Sequence, residues 1–153
     1  MNKIINYKLL FFLLLLSSCA YKPVLINKNY SFSINIVKAD GNQKINSKIS
    51  NNLNYLKGEK IKYDLILSSN KEKNILSKDS KGDPSIFEII INVNYSVKKD
   101  DNILIVNKIN RKTTYNNITD KFELESYEKT IIDNLSKNIS DKIIFSISEI
   151  HEW

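Results

Sequence analysis

The chain has 153 residues, 42% of them hydrophobic and 26% charged, with a formal net charge of +6 at neutral pH. That length suits one domain with a single core of its own. One His, one Cys and three Gly exclude a zinc site of paired cysteines, an HExxH helix and a glycine-rich phosphate loop. The basic residues are dispersed lysines plus Arg111, with no aromatic-basic motif, so a nucleic-acid partner is not expected. Neither cofactor, metal nor catalytic set is expected.

The first residues carry Lys3 and Lys8 and no acid, and an unbroken apolar run, Leu9 to Leu16, follows. This is the layout of an export signal. Crossing a bilayer as a helix takes roughly 20 apolar residues, far more than this run supplies. Next comes Leu16-Ser17-Ser18-Cys19-Ala20, containing the only cysteine in the chain. This stretch resembles a lipobox. The resemblance implies that the Cys19 thiol receives a diacylglyceryl group, that cleavage occurs after Ser18, and that the freed amine is acylated. Residues 1–18 are then a cleaved signal, 19–29 a lipidated tether and 30–153 one domain. Two or three acyl chains, at about 0.8 kcal/mol per buried methylene, anchor far more firmly than one.

In the domain, Tyr30, Phe32, Ile34 and Ile36 alternate with Ser31, Ser33 and Asn35, the period of a half-buried strand. Ala39-Asp40-Gly41 is expected to break it. Ile45, Ile49, Leu53 and Leu56 then recur at helical spacing, with Gly58 placed as a helix C-terminal glycine. Ile61, Tyr63, Leu65 and Leu67 resume the alternation as a second strand. With a helix between them, the first two strands would be parallel neighbours if they share a sheet. Residues 70–85, with Gly82 and Pro84, read as a polar loop, in which Asp79 and Asp83 are more simply solvated than catalytic.

Phe87, Ile89, Ile91, Val93, Tyr95 and Val97 give the cleanest alternation in the sequence, a long strand with one wet face. A charged turn over Lys98–Asn102 leads into an antiparallel partner that runs through Tyr115. Asp120-Lys121-Phe122-Glu123 has the spacing of a capping box. A helix of about 25 residues is expected from there, with Leu124, Tyr127, Ile131, Leu135, Ile139, Ile143 and Ile147 on its buried face. Ile132 and Ile144 widen that face, and Asp133, Lys137, Ser140 and Asp141 take the other. The order β-α-β-β-β-α packs two helices on one face of a four-stranded mixed sheet, a two-layer α+β sandwich.

Cys19-Ala20-Tyr21-Lys22-Pro23-Val24, this element order and the long tail Tyr127 to Ile143 together resemble the lipopolysaccharide-assembly lipoprotein family, LptE. Ala20 stands where glycine is usual, and lysines stand where arginine is common. The resemblance implies a non-enzymatic outer-membrane lipoprotein that plugs an LptD-like β-barrel, assists its assembly and helps pass lipopolysaccharide to the outer leaflet. Ala20 also lacks the aspartate that retains lipoproteins at the inner membrane in well-studied sorting systems. Lys98, Lys99, Arg111 and Lys112 are the candidate contacts for lipid A phosphates. A stand-alone periplasmic lipid-binding lipoprotein is the alternative, and it would need a deep apolar cavity. The lipobox reading predicts that Cys19→Ser accumulates as an uncleaved, unlipidated precursor, detectable by its lower gel mobility and its failure to incorporate labelled palmitate; normal processing of that variant would overturn it.

Overall fold

The computed structural model describes residues 30–56, 58 and 61–151. The signal, Cys19, the tether and Trp153 lie outside the described residues. Six elements follow in order: β1 (Phe32–Gly41), α1 (Gln43–Leu53), β2 (Ile61–Lys78), β3 (Pro84–Lys99), β4 (Asn102–Asn116) and α2 (Lys121–His151). The strands form one sheet in the order β1-β2-β3-β4. β1 and β2 are parallel and the other pairs antiparallel. The expected mixed four-stranded α+β sandwich is what forms.

The alternation of β3 explains the layering. Ile89, Ile91, Val93 and Val97 are at most 1% exposed, and they share one face with Leu65 and Leu67 of β2. Ile45, Ile49 and Leu53 of α1 and Ile139, Ile143, Ile144 and Ile147 of α2 cover that face. Each such side chain contributes roughly 1.5–3 kcal/mol on leaving water. Tyr95, also on the inner face, hydrogen-bonds its hydroxyl to Ser146 Oγ at 3.1 Å, which removes the cost of burying it.

Several expectations are corrected. β1 does not break at Ala39 but runs to Gly41; a register shift between Ile36 and Lys38 leaves Val37 exposed and switches the face of every later residue. Such a bulge looks like the end of a strand when alternation alone is read. Gly58 is no helix cap, since α1 ends at Leu53 with Asn54 as its cap. Instead Gly58 lies against β1, donating its N–H to Phe32 O at 3.2 Å, and a Cβ there would sit 2.2 Å from Phe32 N.

Most of the expected 70–85 loop is strand. β2 continues to Lys78 and β3 begins at Pro84, which leaves a turn at 79–83. Asp79 Oδ1 closes it by accepting N–H bonds from Lys81 and Asp83, both 2.9 Å. Residues 70–76 are exposed, so their pairing with β3 is carried by main chain rather than by the burial that periodicity detects. Pro84 is tolerated because it occupies the first position of its strand. The β3–β4 turn tightens to Asp100-Asp101, both with positive φ, the conformation a two-residue hairpin loop demands.

α2 has 31 residues, about 46 Å at 1.5 Å per residue. Asp120 Oδ1 caps it by accepting the Glu123 N–H at 2.8 Å. Ser140, expected on the solvent side, is fully buried, as is Ser136. Both share the flank of α2 that carries Asp133, whose carboxylate meets Lys48 of α1. Small residues there let two helices sit side by side on one sheet. Tyr127, expected inside, is 47% exposed, because α1 does not reach this end of α2.

The junction of β1 with α1 is the tightest point of the fold. Gly41 has φ +88° and its missing Cβ would lie 2.0 Å from Ser69 O. Gly82 has a similar φ of +89° with nothing within 4 Å of such a Cβ. Gly41→Ala should therefore cost distinctly more than Gly82→Ala in urea unfolding, about 3 kcal/mol against about 1 kcal/mol, since only the first adds a backbone collision to the left-handed conformation.

Candidate functional site: the uncovered sheet face and its margins

The sheet face opposite the helices is free of any covering element among the described residues, and its side chains are mostly polar. Register sets them in rows. Asn70, Asn92 and Asn110 stand side by side on β2, β3 and β4. Asn110 Nδ2 donates to Asn92 Oδ1 at 2.8 Å, and Asn70 Nδ2 donates to Glu72 Oε1 at 3.0 Å. One row nearer the start of β2, Ser68 and Asn94 face Lys108, with Asp40 at the β1 end. Asn35 Nδ2 donates to Asp64 Oδ1 at 2.9 Å. A face built this way suits a wet or polar neighbour, and cross-strand pairs hold its side chains in place.

The four candidate basic residues do not form one cluster. Lys98 and Lys99 end β3 and pair with Ile103 and Asn102. Arg111 and Lys112 pair with Ile91 and Ile90, roughly 24 and 27 Å along the strand from Lys98 at about 3.4 Å per residue. Because Ile91 faces the helices, Arg111 belongs to the inner side, where its Nη1 turns back to Asn110 O at 2.9 Å. Lys112 lies on the open face in an ion pair with Glu88 at 3.1 Å. That leaves Lys98 and Lys99 together at the hairpin end, beside Ile103, Leu104 and Val106, which are 59%, 45% and 76% exposed.

At the opposite end, one carboxylate ties α2 to the sheet. Glu128 Oε1 accepts from Tyr115 Oη at 2.7 Å and meets Lys73 Nζ at 2.6 Å. Lys73 Nζ also lies 4.2 Å above the Phe87 ring, which stacks on Tyr115 at 5.6 Å. Burial pushes the Glu128 pKa up, but the bonds from Lys73 and Tyr115, with Lys71 nearby, outweigh it and hold the carboxyl below its ordinary value. Burial first, then the bond to Glu128, drives the Tyr115 hydroxyl well above its usual range. In the sequence Glu128 is one more acid within the expected helix, and its partners come from strands far away in the chain.

Beside this anchor, a groove of about 980 Å³ opens between the first turns of α1 and of α2, with Lys71 of β2 among its lining residues. Lys44, Lys48 and Lys129 line it with Glu125 and Glu128, and Phe122 and Ile132 add apolar surface. Phe122 is 83% exposed. Among the described residues no three His, Cys, Asp or Glu side chains converge as metal ligands, and no helix is long and apolar enough to cross a membrane.

No protein-family model matches the chain, and no curated protein matches it in sequence. Solved structures do match. Rare lipoprotein B from Shewanella oneidensis superposes with a TM-score of 0.58 at 16% identity, covering 78% of this chain and 95% of that one. A lipoprotein from Caulobacter crescentus gives 0.59 at 14% identity, covering 80% and 90%. Lipoprotein B from Nitrosomonas europaea gives 0.54 at 14% identity, covering 80% and 88%. The fold is thus shared with nearly the whole of those solved lipoprotein chains.

The Glu128 anchor sets a pH dependence. With the folded pKa below the unfolded one, the unfolded state binds the proton first, so the contribution is complete above the ordinary carboxylate value and is lost as pH falls through the folded value. Glu128→Gln should lower the melting temperature at neutral pH and flatten the acid limb of the stability profile; an acid limb identical to that of the parent protein would remove Glu128 from this role.

Proposed function

We propose that this chain is a non-enzymatic outer-membrane lipoprotein, held by lipid on Cys19, that plugs a large LptD-like β-barrel, assists its assembly and aids passage of lipopolysaccharide to the outer leaflet. The observation that carries the reading is the pairing of a lipobox-like sequence at Cys19 with a domain fold that bacterial lipoproteins share. The rows of Asn, Ser and Lys on the open sheet face add support, because a barrel lumen is polar and water-lined. A stand-alone lipid carrier calls for a deep apolar cavity, whereas the groove beside α1 opens to solvent between lysines and glutamates.

Lipopolysaccharide contact is assigned first to Lys98 and Lys99, which share the hairpin end with exposed aliphatic side chains able to lie along acyl chains. Lys112 is already paired with Glu88, and Arg111 turns back on its own strand. As point charges, the two lysines bind phosphate in a manner that salt screens.

Purification from detergent-solubilised outer membrane is expected to recover the chain with a barrel protein in near-equal amount. Recovery of the lipoprotein alone would sink the plug reading. In a separate assay, replacing both Lys98 and Lys99 with Ala should weaken lipopolysaccharide binding several-fold at low salt and hardly at all at high salt. Equal affinities for the variant and the parent chain at every salt concentration would remove these residues from the contact.

A further inference from the structure

β1 and β2 separate partway along the sheet. Their pairing ends at Gly41 and Ser69, yet β2 continues to Lys78. Among the described residues no strand follows β1 along that edge. Ser69 O accepts the Asn42 N–H at 3.0 Å, so the main-chain groups of Ser69 point to the β1 side. Strand alternation directs those of Lys71, Lys73 and Ile75 the same way, while Asn70, Glu72 and Asn74 bond to β3. The result is an exposed edge with donors and acceptors at strand spacing, the usual template for an added strand. Nothing in its sequence blunts it with proline.

The groove supplies the second half of the argument. Side chains of a strand placed opposite Lys71 and Lys73 would project from the helix-side face into the space lined by Lys44, Lys129 and Phe122. Among the described residues, Lys44, Lys71 and Lys129 form no ion pair, whereas Lys48 is held by Asp133 and Lys73 by Glu128. We propose that this edge and groove form a docking site for an extended, acidic segment of a partner protein, which adds as a fifth strand in the line that β1 vacates.

The edge itself selects a strand, since only extended main chain matches alternating groups on Lys71, Lys73 and Ile75. Charge favours an acidic one, because Lys44, Lys48, Lys71 and Lys129 outnumber Glu125 and Glu128 in the groove lining. A second copy of this edge fits poorly: antiparallel self-pairing sets lysine against lysine, a like-charge contact that disfavours it. The β4 edge also carries free main chain, but the groove borders β2 and not β4. The inference rests on the reading that the domain docks on another protein, without depending on which segment of the barrel supplies the strand.

The test uses the intact lipoprotein in detergent and a fluorescent twelve-residue peptide of alternating glutamate and valine, followed by anisotropy. Saturable binding is expected, and it should fall at least tenfold for Lys71→Pro, which deletes an edge N–H without touching a bond to β3. Lys71→Glu keeps the main chain and should weaken binding similarly through charge, so the test survives if the proline variant fails to fold. Lys108→Pro, a change on the β4 edge where it removes an N–H held by the Asn107 side chain, should leave binding intact. Loss of binding with Lys108→Pro but not Lys71→Pro, no binding at all, or concentration-dependent dimers abolished by Lys71→Pro would each overturn the proposal. Barrel recovery separates the two readings: a barrel retained by a Lys71→Glu chain that no longer binds the peptide leaves the plug standing and removes the strand addition as its basis, whereas peptide binding without a barrel does the reverse.

Discussion

The contact between Gly41 and the Ser69 carbonyl governs the shape of this molecule. β1 can follow β2 only until the chain turns upward into α1, and that turn needs a residue without Cβ at φ +88°, pressed against a neighbouring strand. Asn42 then serves two ends at once. Its N–H bonds to Ser69 O, and its side chain caps α1 by accepting from Ile45 N–H at 3.2 Å. Asn46, buried one turn later, bonds to Asp40 O and to Ser69 Oγ. Asp40, Gly41, Asn42, Asn46 and Ser69 are thus locked together where a strand becomes a helix.

Much else follows from where that lock sits. α1 starts there and runs back over the first half of the sheet, so the second half has only α2 above it. The long helix is accordingly wrapped on two sides along Leu135–Ile147 and on one side near Leu124 and Tyr127, which are less deeply buried. Without α1 beside it, the early part of α2 is fastened by the polar and aromatic set of Glu128, Tyr115, Lys73 and Phe87. The same unevenness opens the groove and exposes the edge of β2 beyond Ser69.

The two faces of the sheet do different work. The inner face is aliphatic and closed by helices, and it supplies the burial that makes the domain stable. The outer face carries rows of Asn, Ser and charged side chains, with cross-strand hydrogen bonds joining Asn35 to Asp64 and Asn110 to Asn92. The polar face, the apolar-basic hairpin end and the groove of lysines and glutamates are three separate surfaces of one domain.

Alternation in Phe87–Val97, helical spacing in Ile45–Leu53 and Ile131–Ile147, and the Asp120 cap determined the element order, and with it the two-layer fold, because each of these patterns is local and each face must be buried. The lipobox-like stretch around Cys19 likewise speaks from sequence alone. Tertiary structure decided the rest. The β2 extension through Lys78 is held by main-chain bonds to β3, to which side-chain periodicity is blind. The bulge at Val37 reverses a face without any compositional mark. The burial of Ser136 and Ser140 depends on a second helix arriving from elsewhere in the chain. The groove, the free edge and the Glu128 anchor join residues of α1, β2, β4 and α2, and only packing brings those together.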